Sequence, residues 1–327
     1  MLSFEQVLQI VEAAIGQLHF DAPPKSLFDP IEYTLSLGGK RIRPALMLMA
    51  CNLYNERVDD ALRPALGMEV FHNFTVLHDD LMDGAGKRRN HLTVHKKWNP
   101  NTAILSGDAM LIVAYQLIGE TAAPFLKKTL TLFTQTALEI CEGQQYDMEF
   151  ESRREVTEEE YIEMIRLKTA VLPACCLKAG ALIGGASEED ADHLYRFGIH
   201  IGLAFQLQDD LLDVYGNTQI FGKNIGGDIL CNKKTFLLIH AMRLASDKQY
   251  AIIKRYQEVT EENTFTPEEK IAAITSVYDE LKIKEIVHAR IRQYYDLAMQ
   301  DLTLLQLPPE RLTVLRETSR RLMVRES

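Results

Sequence analysis

Cysteine chemistry is scarce in this chain of 327 residues. Its five cysteines, Cys51, Cys141, Cys175, Cys176 and Cys231, are odd in number and include no CxxC pair. That excludes a disulfide framework and a zinc-ribbon spacing, and it reads as reduced, cytosolic thiols. A basic surplus is missing too. The formal net charge is −10, which argues against a general nucleic-acid binder. Uninterrupted apolar runs such as residues 109–115 fall far short of the roughly 20 residues that cross a bilayer. The opening MLSFEQVLQIVEAAI is acidic and amphipathic and has no basic leader of the kind a signal peptide carries. The expectation is a cytoplasmic protein without a stable membrane anchor. Runs of alternating polarity and low-complexity linkers are also lacking, which leaves little room for a sheet or a domain boundary. What is present, 46% hydrophobic and 25% charged residues, is the composition of an ordinary globular protein.

Nearly every long segment repeats with helical period. Helices are expected over residues 3–18, 25–36, 41–55, 61–82, 103–119, 124–151, 157–183, 188–215, 233–246, 248–259, 267–304 (with a break) and 308–325. Thr157-Glu158-Glu159-Glu160 and Ser187-Glu188-Glu189-Asp190 have the form of a capping box or its Asp variant. Thr266-Pro267-Glu268-Glu269 places proline at N1 and acids in the first turn. Two loops stand out. Residues 84–100 hold Lys87, Arg88, Arg89, Lys96 and Lys97, and residues 216–232 hold Gly222, Lys223, Gly226, Gly227 and Asp228. All-helical enzymes close one large core at this size, so the reading is one all-α domain spanning residues 1–327.

The chain carries DDLxD twice, as Asp79-Asp80-Leu81-Met82-Asp83 and Asp209-Asp210-Leu211-Leu212-Asp213. At about 3.6 residues per turn, carboxylates at i and i+4 share a helix face, so Asp79 stacks with Asp83 and Asp209 with Asp213. Both ladders close apolar helical stretches. Acids at a helix C-terminus oppose the macrodipole, and acids one turn apart repel each other. A locally unfavourable choice made twice points to compensation by bound metal. Hard divalent cations take carboxylate oxygens, and Mg2+ commonly bridges them to substrate phosphates.

Cations cluster near these ladders. Gly38-Gly39-Lys40-Arg41-Ile42-Arg43-Pro44 combines flexible backbone with donors suited to phosphate; a surface loop before a helix would look similar. Lys87-Arg88-Arg89 follows Asp83 closely and suits either phosphate oxygens or the aspartates themselves. Lys168-Thr169 sits inside a helix, where a threonine ordinarily bonds back to the i−4 carbonyl. Gln206 shares a face with the second ladder and needs a partner if buried. His72 lies two turns before Asp79; a lone histidine on an apolar face is more often a satisfied core residue.

Together GGKRIRP, HDDLMD with KRR, LSGDAML, GQQYD, LKTA, FQLQDDLLD and FGKNIGGDI followed by NKKT resemble the trans-isoprenyl diphosphate synthases, the polyprenyl synthetase family, of short-chain farnesyl or geranylgeranyl type. The resemblance runs from Gly38 to about Thr235. It implies an all-α isoprenoid synthase bundle around a deep central cavity, a homodimer, and head-to-tail transfer of a prenyl group from an allylic diphosphate to isopentenyl diphosphate. It implies three Mg2+ on the allylic diphosphate, held by Asp79, Asp83 and Asp209, with Asp80, Asp210 and Asp213 in support. Arg88, Lys168, Lys223 and Lys233 would hold that diphosphate, and Lys40, Arg43, His72 and Arg89 would hold isopentenyl diphosphate. Thr169 and Gln206 would face the reacting carbon, Gln144 and Asp147 would line the cavity, and Arg325 would close over the second diphosphate. Two positions depart from the family pattern: Asn90 follows the arginine pair where glycine is usual, and Asn232 precedes Lys233 where glycine is often found.

Product length would be set along the helix that ends at Asp79. Thr75 lies one turn below, and Phe71 roughly 12 Å below at about 1.5 Å per residue; Phe74 projects beside that column. A growing tail passes Thr75 and meets Phe74 or Phe71, giving C15 to C20 products with C20 favoured, unless both rings are ordinary core packing. The rival classes are a longer-chain synthase, a helical terpene cyclase, which would lack the Lys40, Arg43 and Arg89 set, a non-catalytic synthase subunit, which commonly loses one acidic motif, and a helical scaffold.

Overall fold

The computed structural model describes residues 1–216, 225–258 and 264–323. Lys223 and Arg325 therefore lie outside the described residues. The chain runs α1 (Phe4–Ile15), α2 (Lys25–Ser36), α3 (Ile42–Tyr54), α4 (Asp59–Met82), β1 (Lys87–Arg88), β2 (His91–Leu92), α5 (Val94–Lys97), α6 (Pro100–Gly119), α7 (Ala123–Ser152) and α8 (Glu158–Ile165). A π-helical turn, Arg166–Ala170, joins α8 to α9 (Val171–Gly184), followed by α10 (Glu188–Tyr215). Then come α11 (Gly227–Leu230), α12 (Phe236–Leu244), α13 (Asp247–Gln257), α14 (Pro267–Glu280), α15 (Ile283–Thr303), a 3-10 turn (Pro309–Leu312) and α16 (Thr313–Met323). The architecture is all-α, as the periodicity predicts.

Local chemistry explains most boundaries. Thr157 with Glu160 and Thr266 with Glu269 form reciprocal capping boxes at α8 and α14, satisfying donors that a helix start leaves unpaired. Ser187 Oγ accepts from the Asp190 amide at the start of α10. The expected break in residues 267–304 falls at Leu281 and Lys282, the latter left-handed at φ 53°. Three features differ from the sequence reading. The helix expected over 157–183 changes to π geometry in its middle. The first basic loop folds into a hairpin plus α5. The second acidic-motif loop contains α11.

The chain divides into two compact units. The first comprises residues 1–135, 172–195 and 304–315. Its centre is α4, buried on most faces from Ala61 to Leu77 and packed on α3 and α6. The second comprises residues 136–171, 196–303 and 316–327. Its apolar core joins Phe150, Tyr161, Leu203, Phe236, Ile274 and Tyr278.

Two helical stretches, Pro100–Gly119 and Glu158–Gly184, are long and apolar enough to cross a membrane, each with a mean hydropathy of 1.4. Counting uninterrupted apolar runs overlooks both. The second is a core helix, 78% buried, whereas the first is only 39% buried. Ile104, Leu105 and Ile112 form the outer face of α6.

Candidate active site

In the first unit the acidic motif closes α4. Asp79 is half-buried, Asp83 caps the helix and is exposed, and Asp80 points inward and is buried. Helical phase explains the split, because Asp80 follows buried Leu77 by three residues while Asp79 and Asp83 share the opposite side. Arg88 on β1 donates Nε and an NH2 hydrogen to Asp80 Oδ1 at 2.9 and 2.6 Å, and its terminal nitrogen lies 3.9 Å from Asp79 Oδ2. Burial pushes the Asp80 carboxyl above its ordinary range, against the pull of Arg88. The hairpin that presents Arg88 pairs it with His91. Its two connecting residues, Arg89 and Asn90, are both left-handed, at φ 50° and 67°. A two-residue type I′ hairpin requires that geometry, and asparagine tolerates it, so Asn90 replaces the usual glycine without losing the turn.

The glycine-rich loop lies beside this hairpin. Gly39 has φ 145°, and a methyl carbon there would sit 2.8 Å from both terminal nitrogens of Arg89. Only glycine admits the guanidinium so closely. Lys40 is exposed, whereas Arg41 is buried and left-handed. Arg43 at the start of α3 lies 3.1 Å from His72 Nε2 on α4. Burial, with the charges of Arg43, Arg89, Arg88 and Arg41, holds the His72 imidazole well below 6.5 and therefore neutral. Such a ring accepts a hydrogen bond from Arg43 and donates with its other nitrogen. The first unit thus gathers Arg43, His72, Arg88 and Arg89 beside the Asp79–Asp83 ladder, with Lys40 three residues before Arg43.

The second unit repeats the acidic arrangement. Asp209 and Asp213 are half-buried, and Asp210 between them is buried. The Tyr161 hydroxyl donates to Asp210 Oδ2, and Gln206 Nε2 donates to Oδ1 at 3.0 Å. Burial and the Asp228 carboxylate push Asp210 up to about 7, against those hydrogen bonds and the attraction of Lys233. Asp213 also organises the following turn, since its Oδ2 accepts the Asp228 amide at 2.9 Å and its carbonyl the Gly226 amide at 2.6 Å. Thr169 Oγ1 donates to Gln206 Oε1 at 3.1 Å. The local tendency to bond back along the helix gives way to this contact between elements. The chain Thr169–Gln206–Asp210–Tyr161 is one connected polar network in which every member has a partner.

Lys168 sits 2.6 Å from Asp147 Oδ2, and Lys233 3.7 Å from the same oxygen. Burial raises the Asp147 carboxyl, but Lys233 and Lys168 outweigh it and hold it below the usual range. Lys168 and Thr169 belong to the π turn, a geometry common at functional sites. Two glycines fix that turn. A methyl carbon at Gly143 on α7 would lie 2.3 Å from the Lys168 nitrogen, and one at Gly202 on α10 would lie 2.6 Å from Ala170 Cα. Gln144, next to Gly143, is half-buried.

On the face below Asp79, Thr75 donates its hydroxyl to the His72 carbonyl at 2.8 Å. Phe74 is half-buried, and its ring lies 4.8 Å from His78. Phe71 is 1% exposed. Its ring lies 5.6 Å from Phe74 and stands edge-on to Phe133 at 5.0 Å, a favourable aromatic arrangement.

Among the described residues, no group of three histidine, cysteine, aspartate or glutamate side chains is gathered to cage a metal. The ladders supply hard carboxylate oxygens in pairs instead. That donor set fits Mg2+, which is commonly held by one or two carboxylates plus substrate phosphates and waters.

Glu69 and Tyr161 lie outside the sequence motifs, and the inward roles of Arg41 and Asp228 do not show within theirs, because the bonding partners come from other segments. Helical phase does signal the inward turn of Asp80 and Asp210. Each follows a buried leucine, Leu77 or Leu207, by three residues.

The polyprenyl synthetase family model matches residues 24–276. The chain is 40% identical over 233 residues to the geranylgeranyl diphosphate synthase of Methanosarcina mazei, spanning 71% of this chain and 72% of the relative. It is 34% identical over 310 residues to the geranylgeranyl pyrophosphate synthase of Geoglobus acetivorans, spanning 93% and 92%. A crystal structure of a geranylgeranyl pyrophosphate synthase superposes with a TM-score of 0.94 at 40% identity, covering 100% of both chains.

Proposed function

The chain belongs to the polyprenyl synthetase family and is a prenyltransferase, and we propose that it performs Mg2+-dependent head-to-tail condensation of isopentenyl diphosphate with allylic diphosphates. The product is a C15–C20 trans-prenyl diphosphate, with C20 favoured. Similarity to geranylgeranyl synthases over most of the chain supports that length. The observation that carries the reading is the paired acidic motif. Each copy buries its middle carboxylate against internal donors and keeps its i, i+4 pair, Asp79 with Asp83 and Asp209 with Asp213, less buried.

Asp79, Asp83, Asp209 and Asp213 are the residues that would hold Mg2+ on the allylic diphosphate. Held there, Mg2+ would supply neutralisation of the charge that develops on departing diphosphate. Arg88, Lys168, Lys223 and Lys233 add to that neutralisation. Lys40, Arg43, His72 and Arg89 bind isopentenyl diphosphate. Thr169 Oγ1 and Gln206 present fixed dipoles to the allylic cation and have no strongly nucleophilic atom to trap it. Gln144 and Asp147 line the cavity, and its closure excludes the water that would quench the cation. The homoallylic double bond then attacks, and the final proton leaves to released diphosphate, so no separate carboxylate or histidine base is needed.

Residues 1–327 make up one all-helical domain, and the enzyme is a cytoplasmic homodimer. Its contact face is α6, where Ile104, Leu105 and Ile112 stand exposed along a helix apolar enough to need cover. The test is Asp79→Ala and Asp209→Ala. Each is expected to leave a folded helical protein by circular dichroism and to lose nearly all turnover, because each removes a charge that holds the metal. Near-normal turnover in either at saturating Mg2+ contradicts the assignment.

A further inference from the structure

Arg41 stands between two cations assigned to isopentenyl diphosphate, yet it cannot reach a ligand. It is 4% exposed, and all three of its guanidinium nitrogens donate internally. Nε reaches Glu12 Oε1 on α1 at 3.0 Å, one terminal nitrogen reaches Glu69 Oε1 on α4 at 2.8 Å, and the other reaches the Leu35 carbonyl on α2 at 2.7 Å. Its backbone is left-handed, φ 45° and ψ 34°, a conformation strained for a residue with a Cβ and retained where surroundings over-determine it.

Glu69 is itself 2% exposed, and Asn73 donates to it at 3.1 Å. The Glu69 side chain therefore has a fixed position from which to grip the arginine. One helical turn further along α4, His72 meets Arg43 at 3.1 Å. The loop is thus tied to α4 twice, Arg41 to Glu69 and Arg43 to His72. The pair of ties sets the register of the α3 start on α4. It also fixes the left-handed turn that sends Lys40 outward while Arg41 points in.

We propose that Arg41 is a positioning residue for isopentenyl diphosphate. It clamps the Gly38–Arg43 loop to α1, α2 and α4 so that Lys40 and Arg43 converge on one diphosphate. The proposal rests on the assignment of Lys40 and Arg43 to that substrate. Arg41 contributes no contact of its own. A lysine in its place keeps the charge beside Glu69 but offers no planar fork to three acceptors.

The experiment measures both Michaelis constants and kcat for Arg41→Lys and Glu12→Ala, with Lys40→Ala as the reference. Glu12 is 51% exposed in its side chain, so its removal trims the clamp without opening the core. Lys40→Ala is expected to raise the constant for isopentenyl diphosphate by about tenfold or more, the worth of one charge-assisted contact. Arg41→Lys is expected to raise the same constant to a similar degree, and Glu12→Ala by a few fold. The allylic constant and kcat at saturation stay within about twofold. If Arg41→Lys does not fold, Glu12→Ala decides by the same selective rise. An unchanged constant in the folded variant, or a fall in kcat with both constants rising together, overturns the clamp while the Lys40 result leaves the substrate site standing. A Lys40→Ala enzyme with no selective rise overturns the site assignment and the clamp with it.

Discussion

Replacing Gly143 with alanine tests how tightly the π turn must be placed. Gly143 faces the backbone of Lys168, where an added methyl carbon would stand 2.3 Å from the amide nitrogen and 2.8 Å from Leu167 C and Lys168 Cα. Ordinary contact begins near 3.4 Å, so the turn must retreat by about 1 Å. The opposing atoms are backbone, which cannot rotate aside. Nor can the turn yield freely, because Ala170 at its far end already abuts Gly202. Overpacking of this kind costs about 1–3 kcal/mol of stability. The same shift moves Lys168 from its 2.6 Å contact with Asp147 and Thr169 from its 3.1 Å contact with Gln206. A displacement of about 1 Å at a reacting centre lowers turnover on the order of 100-fold. Steady-state kinetics with both substrates, beside a urea denaturation curve, separates the two effects. Gly184→Ala is the control, since it drives a methyl carbon to 2.5 Å from the Cys51 carbonyl in the other unit and should destabilise comparably without a fall in kcat of that size. Wild-type kcat in a Gly143→Ala enzyme that binds both substrates would refute the claim that the π turn sets catalytic geometry.

Chain length should respond to Phe74→Ala and Phe71→Ala, at least one of which is expected to shift products upward in C5 steps; unchanged products in both would place the cavity floor on another element. Phe71→Ala should also destabilise by about 3–5 kcal/mol, because the ring packs on Phe133 as well as Phe74. His72 gives a pH prediction. Its folded pKa is depressed below the ordinary 6.5, so the unfolded chain takes up this proton first as pH falls. The neutral imidazole's contribution is complete above about pH 6.5 and declines below it, at up to about 1.4 kcal/mol per pH unit. His72→Gln should flatten that acid slope in urea unfolding, and an unaltered slope would contradict the assignment. Ile112→Glu on the outer face of α6 should yield monomers by sedimentation, whereas a dimer of unchanged affinity would place the contact elsewhere.

Much of this molecule is legible in its sequence, and the exceptions share a cause. Helix starts announced by Thr157 with Glu160 and Thr266 with Glu269 form as expected because capping is local chemistry. The i, i+4 ladders follow from helical pitch alone. The π turn does not, since nothing within Arg166–Ala170 marks it; the glycines that accommodate it, Gly143 and Gly202, come from α7 and α10. The hairpin after Asp83 hides for a related reason. Arg89 and Asn90 occupy the left-handed positions where glycine is the familiar signal. Arg41 looks like another phosphate ligand within a basic run, and only the acceptors from α1, α2 and α4 reveal that it points inward. Phe71 is legible as a residue below the ladder, but its edge-on contact with Phe133 depends on α7 and is not written in α4.

The most direct measurement incubates the enzyme with labelled isopentenyl diphosphate, Mg2+ and C5, C10 or C15 allylic diphosphates, with and without a chelator, and sizes the products by chromatography. The account predicts incorporation that requires both an allylic primer and Mg2+, with products ending at C15 to C20. No incorporation, incorporation that survives metal removal, or a dominant product beyond C30 would contradict it.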